Sequence, residues 1–202
     1  MVDKVTRTDL GHPDPRFEGP AETGIERAQK VLMFWTKVGP DGWFARNDQT
    51  DRLFRDQFID LHFAAARGQC MHWLDDAQAG LALILLLDQF PRNVFRDTAH
   101  MFATDPLART VADRFIERGH MDNLDVALRL FVCLPFSHSE SMHDQDRAIA
   151  LHETYIQGDM YWPRHHRQII KQFGRFPHRN ASLGRHTTPE EQEFMEQGGF
   201  QG

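Results

Sequence analysis

Apolar residues recur along this chain at helical spacing, and glycine and proline separate the segments that carry them. Residues 25–38, for example, place Ala28, Val31 and Trp35 on one helical face, and Gly39-Pro40 follows directly. The same periodicity predicts about eight helices, over residues 25–38, 48–67, 76–90, 105–119, 123–134, 143–157, 162–173 and from 188 onward.

Proline and capping residues predict where several of these helices begin and end. Pro91 and Pro135 lack the N–H that the helical hydrogen-bond ladder needs, so we expect them to end the third and the fifth helix. Asp105-Pro106 predicts an N-cap followed by proline at the first helical position, and Thr188-Pro189 predicts the start of the last helix.

The composition agrees with a helical chain. Val and Ile supply 8 residues each against 17 Leu and 17 Ala, which disfavours a sheet. We therefore predict an all-α fold in which helices pack as antiparallel pairs within one domain over residues 21–197. Three prolines break the first twenty residues, so residues 1–20 are predicted to form a flexible arm and residues 198–202 a flexible tail.

The apolar segments are too short for a membrane protein. The most apolar run, residues 80–87, ends at Asp88 and is far below the ~20 residues of a membrane span. The first twenty residues contain no apolar core of a signal peptide. These features predict a cytoplasmic location and no membrane partner.

Charge and motif searches exclude several further classes of function. The net charge is -6, which disfavours a nucleic-acid partner, and the 23 basic residues are 19 Arg and 4 Lys beside 12 His. Cys70 and Cys133 form no CxxC, no HExxH occurs, and fingerprints for phosphate loops and dinucleotides are absent. The sequence therefore predicts neither a metal site nor a cofactor.

The first candidate site follows the most apolar helix. Asp88, Arg92, Asn93 and Arg96 lie within nine residues of each other, and a guanidinium fork suits a carboxylate or phosphate ligand. Arg92, Asn93 and Arg96 are thus candidate ligand-binding residues. The structural alternative is that Asp88 pairs with Arg92 one turn away, and that Asn93 binds carbonyls at the helix end.

The second candidate site is the segment from Pro135 to Glu140, which His143 and Asp144 follow. His138 and Glu140 are two residues apart in a predicted loop, where they form a candidate catalytic pair of an acid/base group and its orienting carboxylate. The structural alternative is that Ser139 or Ser141 caps the next helix and that Glu140 favours the positive end of its dipole.

The third candidate site has the highest density of basic residues. Arginines and histidines concentrate between residues 164 and 185, although the chain as a whole is acidic. Arg175, His178, Arg179 and Asn180 are candidate ligand-binding residues for an anion. The structural alternative is that these cations pair with acidic side chains of the protein surface.

Three hypotheses for the function follow from these clusters. If the helix ends converge, the clusters form one pocket for a small anionic ligand, with acid/base chemistry at His138. Alternatively, the stacked helices are a scaffold for a peptide or protein partner. In the third hypothesis, the polar motifs hold neighbouring helices in register, and the chain need not be an enzyme.

Several stretches together resemble a known family. They are 31–35 (VLMFW), Trp43-Phe44, 85–93 (LLLDQFPRN), 135–140 (PFSHSE) and 174–180 (GRFPHRN). Over roughly residues 25–197 the chain resembles a bacterial family of uncharacterised proteins, the TPR-like domain of unknown function number nine-two-four. The resemblance implies an all-helical, TPR-like right-handed array. It implies no activity, so it assigns no role to any residue.

Overall fold

The computed structural model describes residues 22–200, and within them the chain is all-α. The predicted arm over residues 1–20 lies outside the described residues, as do residues 201–202. The described helices are α1 Ile25–Val38, α2 Pro40–Trp43, α3 Asp48–Ala66, α4 Ala77–Val94, α5 Asp105–Glu117, α6 Val126–Ser137, α7 Met142–Tyr155, α8 Tyr161–Phe173 and α9 Pro189–Glu196. Short 3-10 turns lie between several of them, and α2 is a single turn that the periodicity does not predict.

Helix α4 forms the centre of the main hydrophobic core. Apolar residues surround its axis on all sides, so it is buried along almost its whole length and packs against α1, α3, α5 and α6. Later helices pack on their neighbours in the chain, α6 on α7 and α7 on α8. The all-α prediction is confirmed. The right-handed sense of the array and the domain boundaries stay predictions.

A second, smaller core lies at the C-terminal end of the chain. Ile169 and Ile170 of α8 pack there with Phe176, and Phe194 and Phe200 cover them. Phe176 belongs to the loop that follows α8. Arg179 of the same loop lies 3.5 Å from Asp105, the partner of Arg92 in α4.

The predictions that Pro91 and Pro135 end their helices were wrong. Helix α4 continues to Val94 and α6 continues to Ser137. Proline at position 91 leaves the carbonyl oxygen of Leu87 without its helical N–H, and the hydroxyl of Thr104 donates to that oxygen at 2.5 Å instead. A contact from outside the helix thus replaces the missing hydrogen bond.

Capping side chains fix several helix starts. Asn47 accepts hydrogen bonds from the backbone N–H groups of Gln49 and Thr50 at the start of α3. At α9 the predicted start is confirmed, because Thr188 and Glu191 form a capping box. At α5 the N-cap is Thr104 and not Asp105, so the carboxylate of Asp105 is available for another partner.

Gly80 permits the close approach of α4 and α5. A Cβ atom at position 80 would lie 2.9 Å from Cδ2 of the buried ring of Phe115. We expect Gly80→Val to lower the free energy of unfolding by about 1–3 kcal/mol, because the added methyls overpack this contact. Urea denaturation measures the change.

Gln78→Val is the matched control, because Gln78 is exposed in the first turns of the same helix. We expect it to change stability by less than about 0.5 kcal/mol. Equal effects of the two substitutions would contradict the close-packing argument.

Candidate functional site

A buried ion network joins α4 to the start of α5. Arg92 of α4 donates to both carboxylate oxygens of Asp105, at 2.9 and 3.0 Å, and lies 3.1 Å from the carboxylate of Asp88 one turn earlier. Asp88 is fully buried, and its second oxygen accepts from Gln89 at 2.6 Å. One guanidinium group therefore contacts two buried carboxylates.

His138 binds the same network from the end of α6. Its Nδ1 lies 2.8 Å from Asp88 Oδ1. Burial opposes the ionisation of Asp88, but Arg92 and His138 outweigh it and lower the pKa of Asp88 to about 2. Because the ionised carboxylate can only accept, the Nδ1 of His138 donates, and its Nε2 is the free acceptor of a neutral ring.

The second ring nitrogen of His138, Nε2, takes no part in this network. The Nε2 atom has no hydrogen-bond partner within residues 22–200, and it is not fully enclosed, since the side chain is 16% exposed. Burial and the charge of Arg92 lower the pKa of His138, although Asp88 opposes this. His138 is therefore neutral near pH 7 and can accept a proton at Nε2.

Arg179 brings the third motif to the same place. Its guanidinium group donates to the backbone oxygen of His138 at 2.8 Å and lies 3.5 Å from Asp105. The group is held between the rings of Phe102 and Phe176, 4.5 and 4.6 Å from their centroids. Burial and the charge of Arg92 lower its pKa to about 10, so it stays charged at neutral pH.

The charges of this network balance without a ligand. The carboxylates of Asp88 and Asp105 match the guanidinium groups of Arg92 and Arg179, while His138 is neutral. A buried network with balanced charge and direct hydrogen bonds does not require a bound anion for its own stability.

Asn93 and Arg96 lie in a separate contact with α3. Asn93 donates to Asp51 Oδ1 at 2.8 Å, and the Nε of Arg96 donates to Asp51 Oδ2 at 2.9 Å. Asp51 belongs to the first turn of α3. These two side chains therefore connect the end of α4 to the start of α3 and do not meet His138.

Arg175 and Asn180 bind the carboxylate at the start of α9. Arg175 donates to both oxygens of Glu191, at 2.6 and 2.8 Å, and Asn180 donates to one of them at 3.1 Å. Arg175 lowers the pKa of Glu191 to about 2. This contact fixes the loop after α8 against α9.

Glu140 does not accept from His138. Its oxygens accept from both terminal nitrogens of Arg185 at 2.8 Å and from the backbone N–H of Phe176 at 3.0 Å. The carboxylate that orients His138 is that of Asp88, 50 residues earlier in the chain. The roles that we predicted for His138 and Glu140 in catalysis stay predictions.

His178 lies against the ring of Phe176. The ring centroids of His178 and Phe176 are 5.6 Å apart, and the buried Nδ1 of His178 has no partner within the described chain. His166 of α8 lies 5.6 Å from the same Phe176 ring, and both of its ring nitrogens are buried without a partner. From the sequence, His166 belongs to the basic stretch of residues 164–185 but is not among the candidate ligand-binding residues.

The sequence motifs thus converge only in part. Arg92, His138 and Arg179 meet, whereas Arg96 and Arg175 lie in contacts of their own. Sequence analysis did not identify the carboxylates Asp51, Asp105 and Glu191 as the partners. The rule that buried charges need partners predicts that such partners exist, but nothing local in the sequence says which carboxylates they are.

Three further observations bear on the type of site. Within residues 22–200, no three His, Cys, Asp or Glu side chains are arranged to hold a metal ion. No helix of the described chain combines the length and apolar character of a membrane span. An open cleft of about 490 Å³ lies at Asp159–His165, in the turn before α8 and its first residues.

Fold and site together define an all-α protein whose helix ends are joined by buried pairs of arginine and carboxylate. The family model described as a bacterial protein of unknown function (DUF924) matches residues 31–199, so the chain belongs to that family. No curated protein matches it. The chain is similar to the solved structure of ATU0120, a protein of unknown function from Agrobacterium tumefaciens. The identity is 50%, the TM-score 0.82, and the match covers 86% of this chain and 98% of that one.

The ion network predicts a large effect of removing Arg92. Arg92→Ala strands the carboxylates of Asp88 and Asp105 in the interior, and we expect it to lower the free energy of unfolding by about 3–5 kcal/mol. Arg55→Ala is the control, because Arg55 is 49% exposed and within residues 22–200 pairs only with the adjacent, exposed Asp56. We expect that variant to lose less than about 1 kcal/mol. If urea denaturation gives equal decreases in the free energy of unfolding for the two variants, the buried network does not stabilise the fold more than an exposed ion pair does.

Buried histidines predict that acid destabilises the fold. Burial lowers the pKa of His62 to about 4 and the pKa values of His166 and His178 to about 3. Between pH 6.5 and 4 the unfolded chain therefore binds protons that the native chain does not, and stability falls as the pH falls. Each histidine contributes a slope of up to about 1.4 kcal/mol per pH unit. A free energy of unfolding that is constant from pH 7 to 5 would be inconsistent with these lowered pKa values.

Proposed function

We propose that this protein binds a small oxyanion, a carboxylate or a phosphate, beside His138 and exchanges a proton with it at His138 Nε2. The observation that carries this proposal is the pair of His138 and Asp88. A buried, ionised carboxylate holds Nδ1, and the opposite nitrogen is open. This arrangement is typical of an imidazole that acts as an acid or base.

The electrostatics around His138 support an anionic ligand in preference to a cationic one. Arg179 is buried and charged next to the His138 backbone, and its Nε has no partner within the described chain. A ligand that accepts from this Nε–H would place its negative charge between Arg179 and the imidazole. That negative charge would raise the pKa of His138 and favour uptake of a proton.

Arginines that are already paired with carboxylates of the chain limit where the ligand can bind. Arg92, Arg96 and Arg175 already donate to carboxylates of the chain, and Asn93 and Asn180 share those carboxylates. These contacts support the part of the alternative hypothesis in which the polar motifs hold helices in register. We therefore propose that the ligand binds next to His138 Nε2 and Arg179 Nε. The other arginines hold the surrounding helices in position through their carboxylate partners.

The proposal is tested with inorganic phosphate and with acetate as probes. A ligand that binds only the native state raises the melting temperature. We expect at least one probe to raise it in the wild type. By calorimetry, the binding heat should vary with the ionisation enthalpy of the buffer, because His138 takes up a proton.

His138→Gln removes the titrating group, and we expect it to reduce both the binding and the proton uptake. His143→Gln is the matched control, since its imidazole is 83% exposed five residues later in the chain. It should behave as the wild type. The proposal fails if neither probe stabilises the wild type, or if His138→Gln takes up as many protons on binding as the wild type.

A further inference from the structure

Buried polar atoms without a partner collect around the ring of Phe176. The rings of His166 and His178 each lie 5.6 Å from it, and the guanidinium carbon of Arg179 lies 4.6 Å from its centroid. Both ring nitrogens of His166, Nδ1 of His178 and Nε of Arg179 are buried and unpaired within residues 22–200. His166 is 8% exposed and Arg179 is 6% exposed.

This concentration points to a ligand. Native proteins leave few buried polar atoms unpaired, and the exceptions call for a specific explanation. Four such nitrogens lie on three side chains that share one aromatic contact, and because a neutral imidazole donates only one N–H they can supply up to three donors. Elsewhere in the network the same chain pairs its buried charges directly, as at Arg92 and Asp105.

Phe200 covers this cluster from the C-terminal side. Its ring centroid lies 4.7 Å from that of His166, 5.0 Å from that of His178 and 6.3 Å from that of Phe176. On its outer side it meets Trp162 at 5.9 Å. Phe200 itself is only partly buried, and its ring packs on the imidazoles of His166 and His178 without being part of the main core.

Two glycines directly before Phe200 form the turn that positions its ring. Gly198 has a positive φ of 84°, which side chains other than glycine rarely adopt. A Cβ at Gly199 would lie 2.5 Å from the backbone oxygen of Phe194, to which the Gly199 N–H donates at 2.9 Å. The chain therefore turns back over α9 at a site with little side-chain bulk. That turn is a suitable pivot for the ring.

The three basic side chains match an oxyanion. Arg179 supplies a charged N–H, and each neutral imidazole can donate one N–H. Carboxylates and phosphates share the acceptor chemistry that this set requires. A neutral ligand would leave the charge of Arg179 without a new counter-ion.

We propose that His166, His178 and Arg179 bind a small oxyanion beneath Phe200, and that Phe200 is a lid which moves aside when the anion enters. This inference rests on the proposed function, because the bound anion is the one that exchanges a proton with His138. It adds the position of the anion, a contact residue in His166, and control of access by Phe200.

The lid is tested first without any ligand, by following the imidazoles of His166 and His178 by NMR as the pH changes. We expect both to stay neutral down to pH 5 in the wild type. In Phe200→Ala water reaches the rings, and both titration midpoints should rise by at least about one pH unit. Phe44→Ala is the control, because Phe44 is an exposed phenylalanine remote in the sequence.

Neighbouring charges also act on these titrations. Burial is the main cause of the lowered pKa of His166; the charge of Arg179 also opposes its protonation, as does any protonation of His138, His165 or His178. For His178, Arg179 and Arg92 act in the same direction and Glu140 acts against them. All of these groups remain in Phe200→Ala, so a rise in both midpoints reports the removal of the ring.

The anion site is tested with inorganic phosphate and with acetate, each added to the wild type and to Phe200→Ala. If the closed lid limits binding, opening it increases the population of the competent state. We expect Phe200→Ala to bind the better probe on the order of tenfold more tightly. Adding His166→Gln to that variant should remove most of the gain. Phosphate and acetate in parallel decide between the two anion classes.

The outcomes distinguish three hypotheses: that Phe200 is a lid, that His166, His178 and Arg179 bind the anion, and that His138 exchanges a proton with it. Unchanged midpoints in Phe200→Ala overturn the lid, whatever the ligand results are. Raised midpoints with no response of His166 or His178 to either anion overturn the site. A probe that shifts His138 but neither His166 nor His178 upholds the proposed function and overturns this inference. If Phe200→Ala melts before it can be measured, Phe200→Leu should give the same changes at smaller size, and their absence counts equally against the lid.

Discussion

The bidentate contact between Arg92 and Asp105 is the interaction on which the rest of this site depends. This contact joins α4 to α5. The same guanidinium group lies beside Asp88 and keeps that carboxylate, which binds His138 Nδ1, in its charged form. Buried charges are tolerated only when their partners are in place, so one guanidinium group makes the other contacts possible. Arg179 then closes the network by binding Asp105 and the end of α6 together.

The excess of arginine over lysine follows from this architecture. Arg92, Arg175 and Arg185 each place two N–H groups on one carboxylate, which the planar guanidinium group can do and an ammonium group cannot. Such pairs join segments that are far apart in the chain and leave no net charge inside. The histidines around Phe176 differ, because both nitrogens of His166 and Nδ1 of His178 are buried without a partner within residues 22–200. That contrast separates the structural polar groups from those we propose to bind a ligand.

Features of the fold that depend on neighbouring residues were predicted correctly, whereas features that depend on residues distant in the chain were not. Capping at Thr188 is local and was predicted correctly from four consecutive residues. The helix end at Pro91 was predicted wrongly, since the hydroxyl of Thr104 compensates for the missing N–H from 13 residues further along the chain. Likewise, the sequence identified Arg92 as a residue needing a partner, but the choice among many carboxylates depended on how α5 packs against α4.

By itself, the sequence determined that the chain is helical, where its apolar faces lie, and that arginines and histidines cluster at helix ends. Those properties depend on periodicity and composition, which are local. Only the tertiary structure decided that Asp88 orients His138, that Glu140 binds Arg185 instead, and that Phe200 covers His166. The physical reason is that hydrogen bonds and ion pairs act over about 3 Å, and packing of the helices alone brings residues from distant parts of the chain within that range.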